Sequence, residues 1–237
     1  MTMSDRLRQV LLHGANPYGQ PIDLPPISSF PHTFLTEDLI EDLMRSIPGL
    51  TWALEIGSLH GGSALRIANV LQRMDPDSVL VCIDTWLGDA NMLTGINQDG
   101  QPQDCRRWLL FDGFGVAHCF ELFISRVVAA GHSDRIIPFR TSSVAGLRAL
   151  ARYVHWHEIP PPSFIYIDSG HEEGETRLEV ERSWNLLGAE GIVCGDDWSW
   201  SAVKHDVEQV SRLVRSSIEV RDGQWILRKR TPHSPFV

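Results

Sequence analysis

The 237-residue sequence lacks the features that would mark a membrane, secreted or nucleic-acid-binding protein. No apolar run approaches the roughly 18–20 residues that a membrane-spanning helix needs. The apolar stretch at the N-terminus is too short and too charged for a signal peptide. A formal net charge of −9 disfavours non-specific binding to nucleic acids and anionic membranes. We therefore expect a cytoplasmic protein without a membrane or nucleic-acid partner.

Cysteine is also scarce, and the four cysteines show no C-x-x-C pairing. Cys82 and Cys194 lie inside apolar runs that predict strands. Buried free thiols in a reducing compartment are therefore expected, in place of disulfides or a cysteine metal site.

One stretch, residues 52–68, combines the signals of a strand, a turn and a helix in the sequence WALEIGSLHGGSALRIA. A short apolar run is followed by a glycine-rich turn, and apolar residues then recur at the i, i+3, i+4, i+7 spacing of an amphipathic helix. This arrangement presents backbone N–H groups and the positive end of a helix to a cofactor.

The same alternation of strand and helix continues along the chain and predicts the fold class. Continuous apolar runs predict five strands, at 52–56, 78–83, 136–139, 163–167 and 191–194. Unbroken apolarity is typical of parallel strands that are covered on both faces. An Asp-Gly turn at 222–223 predicts a final antiparallel hairpin. We therefore predict an α/β protein with a doubly wound, Rossmann-like, mostly parallel sheet and a C-terminal antiparallel hairpin.

The pattern divides the chain into an N-terminal arm (1–34) and a single domain (35–237). The arm is rich in Pro and Gly, and we expect it to wrap the surface or to reach a partner subunit, which makes a homo-oligomer possible. Within the domain, residues 85–115 are rich in Gly, Asn, Asp and Gln, and they are too many for a simple connection. Loops of this length are usually functional, so we call residues 85–115 the lid insertion.

Acidic residues follow several of the predicted strands. In doubly wound sheets, ligands bind beyond the carboxyl ends of the strands, where Glu55, Gly57 and Asp84 would lie. An acid at the position of Asp84 can accept hydrogen bonds from a ribose diol. The alternative is a solvated aspartate at the end of a strand.

Three further carboxylates, Asp168, Asp196 and Asp197, would repel one another at neighbouring strand ends unless a cation neutralised them. Oxygen ligands suit Mg²⁺. Alternatively, one aspartate caps the next helix and another is exposed. His171, three residues after Asp168, is placed to take a proton from a substrate hydroxyl, although most of the ten histidines must be ordinary residues.

Four tryptophans, Trp86, Trp108, Trp198 and Trp200, lie in or beside the predicted mouth of the site. Such side chains can line a pocket or stack on an adenine. They can equally pack the lid insertion on the body of the domain, which is the interpretation we favour.

Four segments together resemble one family: EIGSLHGGSALRIA, CIDTWLGD, FIYIDSGHEEGETRLEVERSW and GAEGIVCGDDW. They are similar to class I S-adenosylmethionine-dependent methyltransferases, and in particular to the branch with small-molecule and sugar O-methyltransferases of bacterial natural-product pathways. The resemblance spans about residues 35–227, with the segments in the family's order. Two departures are Ser169, where the family usually has Gly, and the turn GSLHGG in place of a tighter G-x-G-x-G.

The resemblance implies a role for each candidate residue. Asp84 would hold the ribose, and Ser142, in the turn 140–143, would lie near the adenine. His171 would be the catalytic base. The methionine part of the cofactor would be approached by Glu55, Gly57, Gly61 and Ser63, and Mg²⁺ would be bound by Asp168, Asp196 and Asp197.

These expectations give a functional hypothesis: methyl transfer from S-adenosylmethionine to a hydroxyl oxygen of a small or medium polar acceptor, assisted by Mg²⁺. A metal-free methyltransferase of the same fold and a non-catalytic binding module remain alternatives. An NAD-dependent oxidoreductase is disfavoured by three features: the missing G-x-G-x-x-G, the acidic trio and the terminal hairpin.

Overall fold

A seven-stranded sheet forms the centre of the protein in a computed structural model, which describes residues 2–22, 33–96, 100–102 and 104–230. The strand order is β3-β2-β1-β4-β5-β7-β6. The first five strands of this order are parallel, and β7 runs antiparallel to both β5 and β6. This confirms the predicted fold class. The strands are β1 (Ala53–Ile56), β2 (Leu80–Asp84), β3 (Ile136–Arg140), β4 (Phe164–Ile167), β5 (Ile192–Gly195), β6 (Glu219–Arg221) and β7 (Gln224–Arg228).

Helices cover both faces of the sheet because alternate strand residues point to opposite sides. In β1, Ala53 packs in one core cluster and Leu54 in the other. Residues of α2, α3 and α5 fill the first cluster, and residues of α1, α6, α7 and α8 fill the second. The helices are α1 (Met3–Leu12), α2 (Glu37–Arg45), α3 (Gly62–Met74), α4 (Ala90–Thr94), α5 (Cys119–Ala129), α6 (Ser143–His155), α7 (Glu175–Leu186) and α8 (Ser201–Val214).

The structure bears on two further points of the sequence analysis: the state of the cysteines and the question of membrane-spanning helices. All four cysteines are buried free thiols, as predicted. None of the helices in the described ranges combines the length and apolarity needed to cross a bilayer.

The N-terminal arm contains a helix that the sequence analysis did not predict. In α1, Leu7 and Leu11 are buried against the second core cluster. Arg8 donates to the backbone carbonyl of Ile136 at 3.3 Å, and the hydroxyl of Tyr18 donates to the same carbonyl at 2.8 Å. The described start of the arm therefore packs along β3 of its own domain. Residues 23–32 of the arm lie outside the described residues.

The lid insertion has more internal structure than its polar composition indicated. It contains α4 and a 3-10 turn at Arg106–Leu109, while its positions 97–99 and 103 lie outside the described residues. Trp86 is fully buried, and its ring lies 4.9 Å from that of Phe120 and 5.0 Å from that of Phe123. Trp86 therefore packs the insertion on the body of the domain, in agreement with the interpretation favoured from the sequence.

Candidate active site

The glycine turn after β1 is pressed against the end of β4. Gly57 has a φ of +82°, a conformation that side chains disfavour, and a Cβ atom there would lie 1.9 Å from the carbonyl oxygen of Asp168. Gly61, with a φ of +78°, precedes α3, and a Cβ atom there would lie 3.1 Å from the ring of Phe123. Glycine at these positions lets the turn lie close to the strand ends.

The carboxylate of Asp84 is fixed by the same turn. Its Oδ2 atom accepts hydrogen bonds from the backbone N–H groups of Ser58 and Leu59, each at 2.8 Å. Its Oδ1 atom accepts one from the backbone N–H of Trp86 at 2.6 Å. Asp84 thus ties the turn after β1 to the end of β2 and presents a preorganised acceptor group. Its contact with a ribose stays a prediction.

Glu55 lies beneath the turn and is fully buried. The hydroxyl of Ser58 donates to its carboxylate, and the Cys82 thiol approaches it at 3.4 Å. Burial raises the pKa of Glu55 to about 7, although the hydrogen bonds from Ser58 and Ser63 oppose that shift. Glu55 therefore supports the turn from below.

A cleft of about 480 Å³ opens above these strand ends. Of the residues predicted to bind the cofactor, Glu55 and Gly61 are absent from its wall. The wall contains the other predicted cofactor residues, Gly57, Ser63, Asp84 and Ser142, together with Asp168 and His171. A second, water-sized cavity of about 10 Å³ adjoins Asp168 and His171 and is also lined by Asp196 and Asp197.

His171 lies between two carboxylates. Its Nε2 atom is 2.7 Å from Oδ2 of Asp197, and its Nδ1 atom is 3.3 Å from Oδ2 of Asp89. Its ring stacks on Trp200, with 4.8 Å between the centroids and 24° between the planes. Burial favours neutral imidazole, but the two carboxylates outweigh burial and raise the pKa of His171 to about 10.

Asp89 and Trp200 were not assigned to the catalytic centre from the sequence. Asp89 accepts a hydrogen bond from the backbone N–H of Met92 at 2.7 Å and so caps α4, a role that the local sequence can signal. That signal indicates a helix start and gives no reason to expect His171, 82 positions away, as a partner. For Trp200, the interpretation favoured from the sequence was packing of the lid insertion on the domain, and the structure stacks its ring on His171.

Asp168, His171 and Asp197 form a group that can hold a metal ion, since one ligand atom from each lies within 4.8 Å of the others. Burial, followed by repulsion from Asp196 and Asp197, raises the pKa of Asp168 well above its usual range. A bound cation would relieve this repulsion, so the donors fit a divalent ion.

The carboxylate of Asp196 forms its hydrogen bonds outside the group of Asp168, His171 and Asp197. Its Oδ1 atom accepts hydrogen bonds from the backbone N–H of Asp197 at 2.8 Å and from Nε2 of Gln224 at 2.7 Å. The structure thus brings two of the three predicted metal ligands together with His171, and it turns the third toward β7.

Comparisons with known proteins identify the family and the fold. The sequence profile of a family described as "Methyltransferase domain" matches residues 54–198, more than half of the chain. No curated protein sequence matches the chain significantly.

Solved structures share the fold at low sequence identity. The calicheamicin methyltransferase CalS11 superposes with a TM-score of 0.57 at 18% identity, covering 81% of this chain and 76% of that one. An O-methyltransferase from Bacillus cereus in complex with SAH gives 0.52 at 15%, covering 95% and 91%. The O-methyltransferase NovP gives 0.53 at 13%, covering 82% and 79%. By its family profile, its sheet and its cleft, the chain belongs to the methyltransferase-domain family and is an S-adenosylmethionine-dependent methyltransferase.

Proposed function

We propose that the protein transfers a methyl group from S-adenosylmethionine to a hydroxyl oxygen of a small or medium polar acceptor, with assistance from Mg²⁺. The observation that carries this proposal is the placement of His171. Its imidazole lies in the wall of the cofactor cleft, between Asp89 and Asp197 and beside Asp168. A nitrogen base beside a divalent-cation site suits deprotonation of a hydroxyl.

Different residues of the cleft contact different parts of the cofactor. Asp84 holds the ribose hydroxyls, because its carboxylate is already fixed by three backbone N–H groups and faces the cleft. The turn at Gly57 and the start of α3 at Ser63 approach the methionine part, and Ser142 lies near the adenine. Bound S-adenosylmethionine supplies an electrophilic sulfonium methyl group, so the protein must mainly align the acceptor and ease its deprotonation.

His171 accepts the acceptor's proton. Because the two carboxylates keep the imidazole protonated, His171 acts as a base only in its neutral form, which a cation on Asp168 and Asp197 would favour by offsetting their negative charge. A hydroxyl that enters from the cleft then replaces one carboxylate contact and passes its proton to the imidazole nitrogen freed there. The other carboxylate keeps the ring oriented, and the stacked ring of Trp200 limits its tilt. The remaining carboxylate also stabilises the imidazolium that results.

The metal site draws on Asp168 and Asp197, which both the sequence and the structural grouping include. Asp196 is the third ligand that the sequence predicts, and His171, which lies close to the other two, would have to stay off the ion to act as the base. A divalent cation held there would lower the pKa of a hydroxyl that it ligated.

The experiment measures transfer of a labelled methyl group to a panel of hydroxyl acceptors, with and without a chelator, for the wild type and Asp197→Ala. We expect chelation and Asp197→Ala each to reduce transfer at least about a hundredfold. Asp77→Ala, an exposed change near the opposite end of β2, is the matched control. Full activity under both treatments would remove the metal role and leave the methyltransferase assignment in place.

A further inference from the structure

The wall of the cofactor cleft contains no lysine or arginine, and its one cationic side chain, His171, is already paired with Asp89 and Asp197. The chain has 21 Lys and Arg residues, and every one lies in the described ranges, yet none lines the cleft. Carboxylic acids line it instead: Asp84, Asp89, Asp168, Glu175 and Glu179. Asp196 and Asp197 stand around the adjoining smaller cavity.

Two cationic side chains on elements near the cleft, those of Arg140 and Lys204, are engaged elsewhere. The guanidinium of Arg140 lies 4.9 Å from the centre of the Phe120 ring. The ammonium of Lys204 lies 5.5 Å from the centre of the Trp198 ring. These contacts leave the acids of the cleft without a counter-charge from Arg140 or Lys204.

The cofactor and a divalent cation account for only part of the negative charge. Asp84 and Asp168 already have roles toward these two groups, whereas Glu175 and Glu179 of α7 have none. Glu179 is buried and accepts a hydrogen bond from the hydroxyl of Ser169. Glu175 is exposed, and its Oε2 atom lies against Gly170, only 2.1 Å from where a Cβ atom would stand. Because Gly170 precedes His171, this carboxylate faces the part of the cleft where the acceptor reacts.

Apolar side chains form the other surface near this region. Met92 and Leu178 line the cleft. Beside lining residues of the lid insertion, Leu87 and Leu93 are 52% and 49% exposed. An acceptor entering here meets apolar carbon and carboxylate oxygen, with no lysine or arginine to bind an anion.

From this distribution we infer that the acceptor carries no phosphate or carboxylate group. It is a neutral or amine-bearing hydroxyl compound whose apolar side contacts Met92 and Leu178. Nucleotide sugars and hydroxy acids are disfavoured, because no lysine or arginine lines the cleft to offset the repulsion between their anionic groups and Glu175. The inference rests on the proposed function, since it concerns the acceptor of the same site.

The test uses two matched series that differ mainly in charge: glucosamine, glucose and glucuronate, and dopamine, catechol and 3,4-dihydroxybenzoate. Methyl transfer from labelled S-adenosylmethionine is measured with Mg²⁺ present. In a series that reacts, we expect kcat/KM of the anionic member to be at least about tenfold below that of the neutral member. Added salt narrows this ratio if its origin is charge.

The variant Glu175→Gln tests whether the lower kcat/KM of anionic acceptors originates from α7. It should narrow the ratio of kcat/KM between the neutral and anionic members, because it removes the exposed charge that lies against Gly170, beside His171. Glu181→Gln is the control on the same helix, since Glu181 pairs with Arg177 and does not line the cleft. This control should leave the ratio unchanged.

Two results would overturn the inference. One is a kcat/KM for the anionic members equal to or above that of the neutral ones. The other is a protein that binds no member of either series when S-adenosylhomocysteine is bound and methylates none when S-adenosylmethionine is supplied. Calorimetry with S-adenosylhomocysteine alone separates these results from failure of the proposed function, which would appear as absent cofactor binding.

Discussion

At the scale of single residues, the site depends on acids whose surroundings differ sharply. Asp84 is held by three backbone N–H groups, Glu55 is buried under the glycine turn, and Asp168 faces two other aspartates. Burial raises the pKa of Glu55 to about 7, and burial together with repulsion from Asp196 and Asp197 raises the pKa of Asp168 well above its usual range. The position of each residue, more than its type, therefore determines what it contributes.

Asp84→Asn should weaken both the turn and cofactor binding. The amide keeps one acceptor oxygen and turns an NH₂ group toward backbone donors that the carboxylate now satisfies. We expect affinity for S-adenosylhomocysteine to fall at least about tenfold and stability to fall by about 1–3 kcal/mol. Calorimetry and urea unfolding measure the two effects, with Asp77→Asn as the control. Unchanged affinity would show that Asp84 has no part in the cofactor site.

Glu55→Gln should alter how stability depends on pH. The folded-state pKa of Glu55 is about 7 and its ordinary value is 4.5, so between these values the unfolded chain loses a proton that the folded protein keeps. The stabilising contribution is therefore complete below the lower value and is lost as pH rises toward about 7.

The free energy of unfolding of Glu55→Gln, relative to the wild type, should consequently increase across that pH window. Urea unfolding at several pH values measures this trend, and the exposed change Glu158→Gln provides the control. Parallel curves for Glu55→Gln and the wild type would contradict the raised pKa.

At the scale of secondary-structure elements, the sequence predicted the strands well and the arm poorly. Unbroken apolar runs marked the parallel strands, and an Asp-Gly turn marked the hairpin. α1 was missed because half of its ten residues are polar and a Pro-rich stretch follows it. Its stability comes from packing on the sheet, which short helices need and local sequence does not reveal.

Leu7→Ala tests whether the arm is part of the domain. Leu7 is fully buried, so its truncation should cost about 2–5 kcal/mol. Leu213→Ala, at a helix position that is 46% exposed, should change stability by less than about 0.5 kcal/mol. Urea unfolding compares the two variants. A loss of stability in Leu7→Ala as small as that in Leu213→Ala would mean that α1 contributes nothing to the folded domain.

At the scale of the whole molecule, the site is an edge of the sheet where several chain segments meet. Asp84, Asp168, Asp196 and Asp197 could be predicted there because they follow apolar strands. The pairing of His171 with Asp89 and the pairing of Asp196 with Gln224 could not, because they join side chains 82 and 28 positions apart. Such contacts depend on the paths of the lid insertion and β7, which no local pattern specifies.

Charge balance across this edge gives a prediction about the whole fold. Because the folded pKa of Asp168 is raised well above 3.8, its ionisation reduces stability as pH rises above that ordinary value. Asp168→Asn should therefore make the metal-free protein more stable than the wild type at about pH 8, and it should abolish any rise of Tm with Mg²⁺.

Thermal unfolding with and without Mg²⁺ measures both effects. Asp77→Asn serves as the control, because Asp77 is exposed and lies away from the cleft. An equal rise of Tm with Mg²⁺ in Asp168→Asn and the wild type would place the ion elsewhere.

The central claim is that His171 removes the proton of a hydroxyl acceptor during methyl transfer. The most direct measurement is kcat for labelled methyl transfer by His171→Ala, at saturating cofactor and with Mg²⁺ present. We predict a loss of about 10²–10⁴-fold relative to the wild type, the usual contribution of a general base, with affinity for S-adenosylhomocysteine retained. An undiminished kcat in His171→Ala would contradict the account.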